Sequence, residues 1–173
     1  MTDVQHEQVA ERIRVGQEEI AVRVTTADSG GRLLAVDVTM PPGGGPPALH
    51  RHDPVEVYRV LEGEFTFYFG DGDAIERVVA PVGAAVHVAG GREHTIRNES
   101  DRAARGFVTF TDGAAQMEGF LRAAGALAER GALALEDVLA VAGYRSPGRC
   151  RPDARAEPHR RADVRRRSRG AGR

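Results

Sequence analysis

Four side chains could do chemistry together. His50 and His52 stand one residue apart within residues 44–63 (GGPPALHRHDPVEVYRVLEG), and Glu56 follows four residues after His52. His94 stands in a second stretch, residues 83–98. Alternate residues of a strand point the same way, so H-x-H places both imidazoles on one face, about 7 Å apart along the strand. Both can then reach one ion at about 2 Å. Glu56 shares that parity if the strand is regular through Asp53, Pro54 and Val55, and Pro54 is where a bend would enter. His94 must come from a neighbouring strand, with residues 83–91 as the hairpin that brings it in. Three neutral imidazoles and one carboxylate suit one divalent transition metal: Fe, Mn, Ni, Co, Cu or Zn. Four ligands on an octahedral ion leave two positions open for water, substrate or dioxygen, as a catalytic centre needs.

The elements that must position these residues can be read from the pattern. Ile13 and Val15, then Ile20, Val22 and Val24, alternate with polar residues, which signals strands with one buried face. Residues 28–31 (DSGG) are a turn, and residues 33–40 a more apolar strand. Residues 41–47 (PPGGGPP) suit neither helix nor ladder and read as a loop to the strand that His50 and His52 open and residues 56–61 continue. Phe65, Phe67 and Phe69 share one face of the next strand. Residues 75–79, 85–88, 94–97 and 104–111 supply further strands, with turns at 70–73, 81–83, 90–91 and 98–101. About nine short strands with Gly/Pro punctuation specify an all-β sandwich or barrel. From Ala114 the period changes: Met117, Phe120, Leu121, Ala124, Leu127 and Ala128 mark a helix face. Residues 135–141 read as a second helix, and both helices as a cover for one end or edge of the barrel.

The two site stretches also resemble a known family. Gly44-x5-His50-x-His52-x3-Glu56-x6-Gly63 is similar to the first motif of the cupin superfamily at every fixed position. Gly83-x5-Ala89-x-Gly91-x2-His94-x3-Asn98 is similar to the second, with Ala89 in place of the usual proline. The resemblance implies a double-stranded β-helix, or jelly-roll barrel, over about residues 13–112, with His50, His52, Glu56 and His94 as metal ligands inside it. Within the family, the chain resembles small single-domain bacterial cupins compared with quercetin dioxygenase. The organisation expected is a leader (1–12), the barrel (13–112), C-terminal helices (113–143) and a disordered tail (144–173).

Other residues take secondary roles. Tyr58 shares parity with Glu56 and is a candidate catalytic group that offers a hydrogen bond to the cavity; ordinary packing is the alternative. Phe107 and Phe110 fall on opposite faces, so at most one lines a pocket. His87 reads as a wall or surface residue. Arg59 and Arg97 read as solvated.

Composition limits the function classes. With 173 residues, 41% hydrophobic and 28% charged, the chain can bury a real core. One cysteine, Cys150, rules out an internal disulfide framework. A polar N-terminus and the lack of any span of about 20 apolar residues point to a cytoplasmic protein without membrane contact. Residues 1–144 carry 13 arginines against 22 acids, which does not suit a specific nucleic-acid binder. Residues 145–173 carry 11 arginines against 3 acids. That tail reads as the product of a shifted frame or, second, as a polyanion-binding segment. A homodimer that covers an N-terminal strand edge is expected.

The function expected is a metal-dependent dioxygenase or related oxidoreductase on a small, fairly apolar aromatic or dicarbonyl substrate. Glu56 would stay a ligand or swing off to act as base. The alternatives are a non-oxidative metal-dependent isomerase or lyase, and a small-ligand-binding cupin without catalysis.

Overall fold

The computed structural model describes residues 11–46, 48–72 and 74–131. The leader up to residue 10, the second helix expected at 135–141 and the arginine-rich tail lie outside the described residues.

Nine strands precede one helix: β1 (Arg12–Val15), β2 (Glu18–Val24), β3 (Leu34–Met40), β4 (Val55–Glu62), β5 (Glu64–Asp71), β6 (Ala74–Pro81), β7 (Ala85–Val88), β8 (His94–Arg97), β9 (Ala104–Thr111) and α1 (Ala114–Glu129). They form a six-stranded sheet in the order β1-β2-β3-β9-β4-β7 and a three-stranded sheet in the order β6-β5-β8. Every pairing is antiparallel. The architecture is the all-β jelly roll that the strand spacing and the motifs imply, with a helix after it.

Alternation explains the two-layer core. In β9, Ala104, Gly106, Val108 and Phe110 are buried and the residues between them are half-buried. Phe65, Phe67 and Phe69 of β5 are buried from the opposite layer, and Phe67 is wholly excluded from solvent. Apolar area removed from water on both inner faces holds the layers together. Phe67 stacks on Phe69, with centroids 6.1 Å apart, and meets the Tyr58 ring edge-on at 5.1 Å.

The layers are unequal, and α1 makes up the difference. Its buried face (Met117, Leu121, Ala124) joins the same core as Ile13, Ile20 and Val36 of the large sheet. A Cβ on Gly125 would lie 2.4 Å from Ile13 Cγ2, so the glycine lets the helix backbone settle on β1. Glu118 Oε2 accepts hydrogen bonds from Thr26 N (2.8 Å) and Thr26 Oγ1 (2.5 Å), which ties the helix to the loop after β2. Arg122 bridges Glu118 and Glu11. No described helix is long and apolar enough to cross a membrane.

Candidate metal centre

Two local expectations are corrected. His50 and His52 do not open β4. That strand starts at Val55, after the buried Pro54, which has no N–H to give a ladder. Nor does a hairpin deliver His94, because β7 pairs with β4 in the large sheet and β8 with β5 in the small one. The turn at Gly90-Gly91 therefore carries the chain from one layer to the other.

What joins the two motifs is an isolated bridge. His50 N donates to His94 O and His94 N donates to His50 O, both at 2.8 Å. Around it, the loop before β4 runs beside β8 like another strand. Gly43 N donates to Asn98 O (2.8 Å), Asn98 N to Gly44 O (3.1 Å) and Gly91 N to His52 O (2.7 Å). Thr95 Oγ1 adds a bond to Pro46 O at 2.9 Å. Gly45 makes the approach possible: at φ +117, a Cβ there would stand 2.1 Å from Ile96 O. A Cβ on Gly90 would stand 2.2 Å from Asp53 O. Asn98, wholly buried, closes the loop. Its Nδ2 donates to Met40 O (2.8 Å) and Arg102 O (2.6 Å), and its Oδ1 accepts from Ser100 N and Oγ. Arg97, expected in solvent, is half-buried and donates from Nη2 to Gly43 O at 3.3 Å.

The same main chain aims the imidazoles. Each Nδ1 faces a backbone carbonyl: His50 that of Ala48 (3.2 Å), His52 that of Pro54 (3.0 Å) and His94 that of Arg92 (2.8 Å). A proton held at Nδ1 leaves the Nε2 lone pair for another partner. One ring nitrogen from each histidine lies within 4.8 Å of the other two. Glu56 reaches the same point from β4, with Oε1 2.8 Å from His52 Nε2 and Oε2 3.5 Å from His94 Nε2.

Burial decides the electrostatics. Desolvation pushes His50 down to about 4, and the His94 charge adds to this, so His50 is neutral at ordinary pH. Burial pushes the Glu56 carboxyl up, but the His52 and His94 imidazoles outweigh it and hold Glu56 down at about 2. Burial also pushes His94 down; there the carboxylate of Glu56 wins and raises it. With the ring proton at Nδ1, His52 Nε2 and Glu56 Oε1 face each other at 2.8 Å as two acceptors, and His52 Nε2 and Glu56 Oε2 are buried without a hydrogen bond. Such atoms are costly without a partner. A cation at the convergence point satisfies both, and neutral imidazole beside carboxylate is the donor set that borderline divalent metals take. The three histidines are thus positioned to hold a divalent metal.

His50, His52 and Glu56 open onto a cavity of about 430 Å³. Tyr58 and Phe110 line it, and Phe107 does not. His87 is exposed, as expected for a surface residue, and so is Arg59. The sequence reading missed one wall: Met117, Phe120 and Leu121 of α1 also face the cavity. Their i, i+3, i+4 spacing was visible, but spacing alone does not say what a helix covers. No arginine lines the cavity among the described residues; apart from the site itself, its charged lining is Glu18, whose Oε1 accepts from Gly45 N at 2.5 Å.

Known proteins agree with this geometry at the level of fold. Residues 36–110 match the family model of the Cupin domain. No curated protein matches the chain. A predicted oxalate decarboxylase from Thermotoga maritima is similar over 61% of this chain and 93% of its own, at 23% identity and a TM-score of 0.52. The polyketide cyclase RemF from Streptomyces resistomycificus is similar over 64% and 80%, at 20% identity and a TM-score of 0.52. A mutant of Bacillus subtilis oxalate decarboxylase is similar over 65% of this chain and 32% of its own, at 18% identity and a TM-score of 0.53. At such identities the likeness is one of fold alone. Both histidine motifs lie inside the matched stretch, so residues 36–110 of this jelly roll are a cupin domain.

Proposed function

We propose that this cupin is a metal-dependent enzyme of the dioxygenase or oxidoreductase type, with His50, His52, His94 and Glu56 as ligands. The observation that carries this reading is the convergence of the three imidazoles and the carboxylate beside an apolar cavity that no arginine lines among the described residues. Among the described residues a small dianion would meet no arginine there, whereas an aromatic or dicarbonyl compound would bury its apolar body and turn an oxygen toward the ligands. When bound, the metal supplies Lewis acidity and, for a redox-active ion, electron donation.

The protein's own groups divide the remaining work. Glu56, held at about 2, is a weak proton acceptor at neutral pH, which favours a fixed ligand over a base that swings away. Tyr58 lies two residues further along β4 on the same buried face and lines the cavity, where its hydroxyl can hydrogen-bond the substrate's oxygen. The apolar walls exclude water. The cytoplasmic homodimer expected from the sequence belongs to the same proposal, since β1 is an edge of the large sheet.

The test is metal analysis of the purified protein, followed by oxygen uptake with a panel of flavonol-like and 1,3-dicarbonyl compounds. Bound Fe or Mn with substrate-dependent oxygen consumption supports the proposal. Turnover of the same compounds without oxygen would reassign the site to isomerase or lyase chemistry. Ligand binding without turnover in either atmosphere would leave a small-molecule-binding cupin.

A further inference from the structure

The helix α1 occupies an unusual place for an element after the barrel. Six strands offer an inner face, and only three strands oppose it. Over β1, β2 and β3 the facing layer is α1, whose Met117 and Leu121 pack in one core with Ile13, Ile20 and Val36. Met117 and Leu121 are 6% and 8% exposed, and Phe120 is half-buried; all three line the cavity onto which His50 and His52 open. The opposite wall stands on strands whose backbone is fixed by ladder hydrogen bonds. The helix closes its own hydrogen bonds, and its polar ties to the barrel run through Glu118 and Arg122, neither of which lines the cavity.

We infer that α1 is the length gauge of the substrate site: Met117, Phe120 and Leu121 set how long an apolar substituent the cavity accepts beyond an oxygen-bearing head held at the histidines. The substrate class is then a compound with a chelating oxygen head and an apolar tail of limited length, and tail length is read by the helix. This rests on the proposed function only in taking the cavity as the substrate site.

The experiment is calorimetric titration of 4-n-alkylcatechols of rising chain length into the full chain, metal-loaded and metal-free. Affinity should rise with each methylene and then fall at a cut-off. Leu121→Ala and Phe120→Ala should move the cut-off to longer chains, and Phe120→Trp to shorter ones. The preference between homologues at the cut-off should change by roughly 10–200-fold, the discrimination typical of one methylene in an apolar pocket. Val57→Ala, on the exposed face of β4, should leave the cut-off in place. Phe120, being half-buried, gives a folded variant even if Leu121→Ala does not. A cut-off that coincides in wild type, Phe120→Ala and Phe120→Trp, or no binding of any homologue, overturns the inference. The two readings fail separately. A shifted cut-off in a protein that takes up no metal sinks the proposed function and keeps the gauge. Metal uptake with an unshifted cut-off does the reverse.

Discussion

Around His50 and His94, main chain grips main chain. Reciprocal 2.8 Å bonds join the two histidines, and Gly43, Gly44, Asn98 and Gly91 extend the clasp on either side. Around α1, every tie to the barrel passes through a helix side chain or a packing contact among the described residues. One cavity thus has a wall held by main-chain hydrogen bonds and another held by side-chain packing. Metal coordination tolerates little displacement, whereas an apolar tail needs only space. The comparison teaches that chemistry and specificity are assigned to different kinds of structure.

The sharpest way to break this division is at the ligands. His50→Ala and His94→Ala should each lower metal affinity by more than the 10–100-fold that loss of an outer-shell partner costs, with barrel stability in the absence of metal largely kept. Metal content after dialysis and near-ultraviolet circular dichroism check both halves, and unchanged metal content removes the assignment. In the wild type, affinity should rise with pH through neutrality. The pKa of His94 is raised by Glu56, so below it a proton occupies the nitrogen that the metal needs. A pH-independent affinity between 6 and 8 would contradict that order of events.

Glycine substitutions measure the two walls against each other. Gly45→Ala drives a Cβ against Ile96 O, a main-chain atom that cannot turn aside, at a φ of +117. Overpacking and backbone strain together should cost more than about 3 kcal/mol by denaturant titration. Gly125→Ala meets Ile13 Cγ2. The overpacking cost of about 1–3 kcal/mol is offset there by a helix-propensity gain of about 1 kcal/mol. A larger loss at Gly125 than at Gly45 would reverse the picture of a fixed and a yielding wall.

The smallest effect concerns the tether of α1. Burial pushes Glu118 up, but the Thr26 hydrogen bonds and Arg122 outweigh it, so its folded pKa lies below the ordinary 4.5. A depressed carboxylate adds stability that is fully present above the unfolded value and fades as pH falls through the folded one. Glu118→Gln should therefore flatten the acid limb of the stability profile below about pH 4.5. Because Arg122 is exposed, the change should stay under about 1 kcal/mol.

How much of this was legible depends on the distance over which each residue acts. The strands at 85–88, 94–97 and 104–111 could be read directly, because alternation and flanking turns are local. The identities at His50, His52, Glu56 and His94 were legible as chemistry. Their placement was not: parity put the H-x-H pair inside a strand, whereas Pro54 ends the ladder and the bridge to β8 takes over. Arg97 reads as solvated until the loop at Gly43 folds over it. The helix face was visible as a period, but its place opposite β1, β2 and β3 follows from the small sheet having only three strands, and no window of sequence shows that.

The bridge between His50 and His94 joins positions 44 residues apart. Before that loop closes, the first motif offers a metal His50, His52 and Glu56 without His94, an incomplete chelate. Closure carries an entropy cost that grows slowly with length and is met by contacts formed elsewhere in the barrel. Ion capture is therefore a late event in folding, and a retained metal ion certifies that both motifs have met.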